Sequence, residues 1–263
     1  MEQVLVSSLV GIFVLFAASQ GLAQVDPRLH EGPTAIVVEV VDGDTVILDD
    51  GSQVRLVNIQ TPKLALGRED FEEQPLAHEA KAALEEAVLN RQVTLAFDQT
   101  QMDRHGRWLA HLYRDDGLWL QGHMVDIALA RVYSFPDNRI MASELLAREA
   151  DARALDAGIW ALSFYAVREA GDPDAVPVDS YELVEGHVVD AAEVNGRVFL
   201  NFGDDWKSDV TATVSPEDAR LFDTETIDLA SLAGQRIRVR GWVNWHNGPS
   251  ISVSHPEQIE VLE

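Results

Sequence analysis

The chain has 263 residues, with 44 acidic against 20 basic side chains, a formal net charge of -24 and a pI near 4.5. It contains no cysteine, which excludes disulfides, thiolate metal sites and a cysteine nucleophile. Apolar residues make up 46%, enough for packed cores in one large or two small domains. The acidic surplus disfavours unspecific binding to phosphate backbones, where Lys and Arg must displace counterions.

The first segment, residues 1–23, is apolar from Val4 to about Ala18, shorter than the ~20 residues of a membrane span. Gly21 and Ala23 then give a small-x-small cleavage pattern before Gln24. This reads as a secretory signal peptide, with the mature protein periplasmic or secreted. Glu2 stands where a positive residue is usual, so an uncleaved N-terminal anchor, and with it a membrane attachment, is the second reading.

Three short β-rich runs follow at Ala35–Val41, Thr45–Leu48 and Gln53–Ile59, separated by the turn-like Asp42-Gly43-Asp44 and Asp49-Asp50-Gly51. Pro75–Asn90 is predicted as a helix. Pro75 suits its first turn, and Ala80, Ala83, Leu84, Ala87 and Val88 recur at helical spacing. Strands are predicted at Gln92–Phe97 and Arg107–Tyr113, and helices at Gly122–Ala130 and Ala142–Ala157, with Gly158 as stop.

Glu169–Ser180, rich in Asp, Pro and Ala, reads as a linker. Beyond it come strands at Gly186–Val189, Arg197–Phe202, Asp209–Val214, Arg236–Val243 and Ser250–Ser254. Asn195-Gly196 marks a hairpin, and a short helix after Ser215-Pro216 has Ser215 as its cap. Five strands with one helix between the third and fourth is the element order of an OB-fold barrel.

The polar residues flanking the first sheet form a chemical kit. Asp42 and Asp44 offer carboxylates for a hard cation. Arg55, outward on its strand if Leu56 is inward, and Arg107 offer guanidiniums for phosphate. Gln60 and Thr61 end the third run. Together these suit metal-assisted phosphodiester cleavage. The bland alternatives are Arg55 paired with Asp44 and Arg107 paired with Asp103.

VVDGDTVIL, RLVNIQTP, DRHGRWLAHLY, MVDIALARVY and the final GIW, in this order from about residue 35 to Trp160, resemble the staphylococcal nuclease, or thermonuclease-like, family. The resemblance implies a mainly β protein with helices (α+β). With the readings above it, the predicted organisation is a signal peptide or N-terminal anchor at 1–23, a nuclease-type OB barrel with packed helices at 32–162, a linker at 163–180, and a second small OB-like barrel at 181–263. The resemblance also implies one Ca²⁺ and a nucleic-acid substrate, single-stranded DNA or RNA. By position, Asp44 is a metal ligand, Thr61 a ligand through its carbonyl, and Asp42 a support for the metal's surroundings. Arg55 and Arg107 are the phosphate-binding pair.

Two positions break the pattern: Gln60 stands where the family has an aspartate ligand, and Lys63 where it has the glutamate that positions water. An amide lowers the charge holding the ion, and a protonated amine accepts no proton from water. The expectation is therefore a weakened calcium site and an exported protein of little or no nuclease activity that acts by binding a polymer or protein partner. An active Ca²⁺-dependent nuclease, rescued by carboxylates from the acidic loop Gly67–Gln74, and a structural envelope protein are the alternatives. That loop reads first as a solvated charge run.

The eight histidines show no close ligand spacing, and no G-x-S-x-G, P-loop or G-x-G-x-x-G is present. In the second module Trp206 and Trp245 are candidates for stacking on bases. Arg236, Arg238 and Arg240 alternate on one strand face, either as a basic stripe or, as the low pI favours, as partners of the surplus acids.

Overall fold

A computed structural model describes residues 25–222 and 227–262. The stretch 1–23 lies outside the described residues, and none of the described helices is long and apolar enough to cross a membrane.

The first module is a closed five-stranded barrel built from β1 (His30–Asp42), β2 (Thr45–Leu48), β3 (Gln53–Leu56), β5 (Gln92–Phe97) and β6 (Trp108–Arg114), in the order β1-β2-β3-β6-β5. β1 is long enough to pair with both β2 and β5, and β3 runs parallel to β6. Alternation places Val54 and Leu56 inside with Val37, Val46, Leu95 and Leu112. Helix α1 (Ala77–Val88) caps this core with Ala80, Leu84 and Val88. Helices α2 (Leu120–Asp126) and α3 (Ala142–Ala154) add Met124, Val125 and Leu145. Each buried Val, Leu or Met side chain among these contributes about 1.5–3 kcal/mol.

The structure differs from the sequence reading at several boundaries. β1 begins at His30, five residues early, because pairing with β5 supports its polar start. The run Gln53–Ile59 is two strands, since Asn58 adopts φ +67 and breaks it; β4 (Ile59–Gln60) pairs instead with β7 (Arg131–Val132). The helix read at Gly122–Ala130 is α2, which starts at Leu120 and ends at Asp126. The helix read to Ala157 stops at Ala154, and Gly158, at φ +54, lies so close to the Ala128 carbonyl that a β-carbon there would be 2.2 Å from its oxygen. The segment Arg168–Ser180 carries β8 (Arg168–Glu169) and a 3-10 turn at Pro173–Ala175.

The second module holds β9 (Ser180–His187), β10 (Asp190–Val194), β11 (Arg197–Asn201), β12 (Thr211–Val214), β13 (Arg236–Trp245), β14 (Pro249–Val253) and β15 (Ile259–Val261). Most of β9 and all of β15 were missed in the sequence. β9 and β10, separated only by Val188 and Val189, act as one bent strand, pairing with β13 through the first half and β11 through the second. With β12 parallel to β14 and β14 on β13, the circular order repeats that of the first barrel. Asn195 and Gly196, at φ +54 and +78, make the β10–β11 hairpin. The segment after Ser215-Pro216 forms 3-10 turns at Asp218–Leu221 and Leu229–Leu232 rather than an α-helix, with the Ser215 hydroxyl accepting from the Asp218 amide.

The modules meet over β7 and α3. Tyr181 and Leu183 of β9 pack with Ala152, Ile159 and Tyr165, and the Tyr181 hydroxyl donates to the Val132 carbonyl at 3.1 Å. Arg240, 1% exposed, donates to both oxygens of the fully buried Glu149 at 3.0 and 2.9 Å. Glu149 also accepts from the Val132 amide and from Arg153.

Candidate active site

The corner where β1 turns into β2 gathers most of the sequence-derived residues. Asp42 ends β1, and its Oδ1 accepts from the Asp44 amide at 3.1 Å, closing a tight turn around Gly43. Glycine is required there by crowding: a β-carbon would sit 2.7 Å from Thr61 Oγ1 and 2.8 Å from Ala80. The turn aims the Asp44 side chain inward, and it is 0% exposed.

The Asp44 carboxylate has no free oxygen. Lys63 Nζ approaches Oδ1 at 2.7 Å and Oδ2 at 2.6 Å. The Thr61 amide and hydroxyl donate to Oδ2 at 2.9 and 3.0 Å, and Arg55 Nε lies 3.3 Å from Oδ1. Burial works against the anion, but Arg55 and Lys63 with the Thr61 amide outweigh it, holding this carboxyl well below the usual range. Asp42 responds in the opposite sense: burial, then the Asp44 charge beside it, push its carboxyl up, offset in part by Lys63, whose Nζ is 3.6 Å from Asp42 Oδ2.

Arg55 sits outward on β3, opposite Thr45. Its terminal nitrogens donate inward, to the carbonyls of Leu56 and, at 2.5 Å, of Ile59. Arg107, just before β6, lies on the same outward face by register but is held by Asp103, 2.8 Å from Nε and 2.7 Å from Nη2. The guanidiniums thus adopt the internal pairings raised as alternatives in the sequence.

Gln60 does not face Asp44. Its Oε1 accepts from Arg131 at 3.0 and 2.8 Å. Arg131 is buried beside the Tyr181 ring, 4.8 Å from its centroid, and burial lowers the pKa of its guanidinium. Arg131 went unremarked in the sequence; an arginine inside the apolar run ALARVY was the signal available. The acidic loop supplies no carboxylate to the corner. Glu73 accepts from the Ala65 amide and pairs with His78, and what the loop offers Lys63 is Gln74 Oε1, at the backbone amide.

These residues do not fit Ca²⁺. That ion takes about six to eight oxygen ligands at roughly 2.3–2.6 Å, whereas here an ammonium already covers both Asp44 oxygens and the Gln60 oxygen points elsewhere. Among the described residues no cluster of three His, Asp or Glu side chains is arranged to hold a metal.

On the second module, Trp206 and Trp245 are 58% and 69% exposed. Trp206 lines a groove of about 520 Å³ with Phe199, Asn201, Thr213, His246 and Asp190, while Trp245 lies outside that lining. No Lys or Arg lines the groove. The arginines of β13 are consumed by acids: Arg236 and Arg238 by Glu185, Arg238 also by Glu260, and Arg240 by Glu149 and Glu260.

A family model described as staphylococcal nuclease homologue matches residues 53–162. The chain is 27% identical over 145 residues to a thermonuclease of Staphylococcus hyicus, covering 54% of this chain and 81% of that protein. It is 30% identical over 135 residues to a thermonuclease of Staphylococcus intermedius, covering 49% of this chain and 77% of that protein. It is also 29% identical over 127 residues to an uncharacterized endonuclease of Escherichia coli O157:H7, covering 47% and 74% respectively. A closed five-stranded barrel, a D-G-D turn beside an outward arginine and these matches together place the chain in the staphylococcal nuclease family.

Proposed function

We propose that this protein is an exported member of the family whose hydrolytic corner is disabled, and that it acts by binding rather than by cleavage. One observation carries the reading: the Asp44 and Gln60 acceptors are engaged by internal donors, Lys63, Thr61 and Arg131, and an ammonium stands where the family has its glutamate. An ammonium in the place of a general base costs on the order of 10²- to 10⁴-fold in rate. The groove beside Trp206 is the surface this reading assigns to a partner. Membership of a nuclease family suggests nucleic acid, whereas a groove whose nearest cation is the single Lys207 over the Trp206 ring, on a chain of net charge -24, favours a partner without phosphates.

The test is hydrolysis of denatured DNA and of RNA in Ca²⁺, with a chelator control, beside the double variant Gln60→Asp/Lys63→Glu. The expected result is little or no cleavage by the unaltered chain and a gain in the double variant. Efficient, chelator-sensitive cleavage by the unaltered chain, abolished by Arg55→Ala, would overturn the reading.

A further inference from the structure

A buried carboxylate is costly unless a cation accompanies it. Asp44 is wholly buried and Asp42 nearly so, and their side chains converge on one point. Lys63 Nζ occupies that point, 2.7 and 2.6 Å from the two Asp44 oxygens and 3.6 Å from Asp42 Oδ2. Ca²⁺ bound by the two Asp44 oxygens would sit roughly 2.3–2.6 Å from them, close to the 2.6 and 2.7 Å at which the nitrogen stands.

We infer that the Lys63 ammonium is a tethered cation that replaces a divalent ion in this corner, so that the stability of the fold is independent of metal, and that a single substitution at Lys63 returns the corner to metal dependence. This deepens the functional reading above and rests on the same site.

The physical reasons are three. The ammonium is supplied by the chain itself and is present at every ion concentration. Its backbone is fixed on both sides by Gln74: the Lys63 amide donates to Gln74 Oε1 at 3.0 Å and the Gln74 amide to the Lys63 carbonyl at 2.9 Å. The side chain therefore reaches Asp44 from a backbone held in place. An incoming divalent ion would also have to displace that ammonium and then coexist with it, because the side chain is only 23% exposed and Arg55 closes the other side of Asp44 at 3.3 Å.

The charge count follows. With Lys63 and Arg55 present, two cations face two carboxylates. Lys63→Glu leaves one cation and three carboxylates, an arrangement that demands a divalent ion. Lys63→Met leaves one cation and two carboxylates and demands one less strongly.

The experiment is thermal unfolding of the full chain and of Lys63→Glu, Lys63→Met and Asp44→Asn, each in a chelator and in millimolar Ca²⁺, with calorimetric titration of Ca²⁺ into each folded protein. The unaltered chain should melt at the same temperature in both solutions and give no saturable heat. Lys63→Glu should melt lower in chelator and recover by about 5–10 °C when Ca²⁺ stands a hundredfold above its dissociation constant, with one ion bound. Should Lys63→Glu not fold in chelator, folding on addition of Ca²⁺ is the expected result, and Lys63→Met should show the same effect at smaller size. Asp44→Asn should gain no calcium response.

Calcium stabilisation of the unaltered chain that is lost in Asp44→Asn would overturn the inference. So would folded Lys63→Glu and Lys63→Met proteins indifferent to Ca²⁺, or a Lys63→Glu protein that stays unfolded in it. These readouts are of ion binding. Hydrolysis by an unaltered chain whose stability ignores calcium would sink the functional reading alone.

Discussion

Arg240→Met probes the contact that joins the modules. The Arg240 guanidinium makes a two-pronged pair with Glu149, at 3.0 and 2.9 Å, with the residues 1% and 0% exposed, and it also holds Glu260 at 2.5 Å. Removing one partner of a buried pair costs about 3–5 kcal/mol, because the other charge stays buried. Glu149 keeps the Val132 amide at 2.6 Å and Arg153 at 2.9 Å, which places the loss at the lower end, about 3 kcal/mol. For a chain of this size that is a fall of roughly 6–12 °C in melting temperature. Denaturant unfolding followed by tryptophan fluorescence measures it. Arg240→Met/Glu149→Leu should recover part of the loss, since an apolar pair in place of a buried ionic one is often neutral. A change below about 1 kcal/mol in the single variant would refute the claim that this pair ties the modules together.

Acid should loosen the same interface. His255 is fully buried, with Nε2 2.7 Å from Ser134 Oγ and Nδ1 3.0 Å from Ser254 Oγ. Burial first, then Arg139 and Arg240, with Asp137 opposing, lower its pKa from 6.5 to about 4. A depressed histidine stays neutral in the fold while the unfolded chain takes up its proton. Its contribution, about 3 kcal/mol at 1.36 kcal/mol per pH unit, is therefore complete above pH 6.5 and lost as pH falls to about 4. The stability of His255→Gln, followed over that interval, should be correspondingly flatter, and an unchanged slope would contradict the assignment. Gln60→Asp alone should neither bind Ca²⁺ nor cleave DNA, because the Lys63 ammonium still covers both Asp44 oxygens. Calcium titration of that variant checks this, and saturable binding would show that Lys63 does not hold the corner against the ion.

The first barrel was legible because its strands are short β-rich runs bounded by turns that carry Gly and Asp, and its helix repeats Ala80, Leu84 and Val88 at turn spacing. Asn195-Gly196 announced its hairpin for the same local reason. What escaped the reading depends on partners distant in sequence. β9, SYELVEGH from Ser180 to His187, has glutamates that look like solvent positions, yet Glu182 and Glu185 are buried against Arg168, Arg236 and Arg238. Lys63 is followed closely by the acidic loop Gly67–Gln74, whereas its partner, Asp44, lies 19 residues upstream across the barrel mouth. Gln60 was weighed as a ligand, and its true partner is 71 residues away on β7. The composition of a site was therefore readable, while the pairing of its charges needed the fold.

The Lys63 ammonium is the cation of the Asp44 corner. Side-chain ¹⁵N–¹H resonances of lysine ammonium groups, recorded on the full chain during a calcium titration, test it directly. A protected Lys63 signal, unmoved by millimolar Ca²⁺ and lost in Asp44→Asn, is the result the account requires. A Lys63 signal that exchanges freely with water, or that shifts as calcium takes its place, would contradict it.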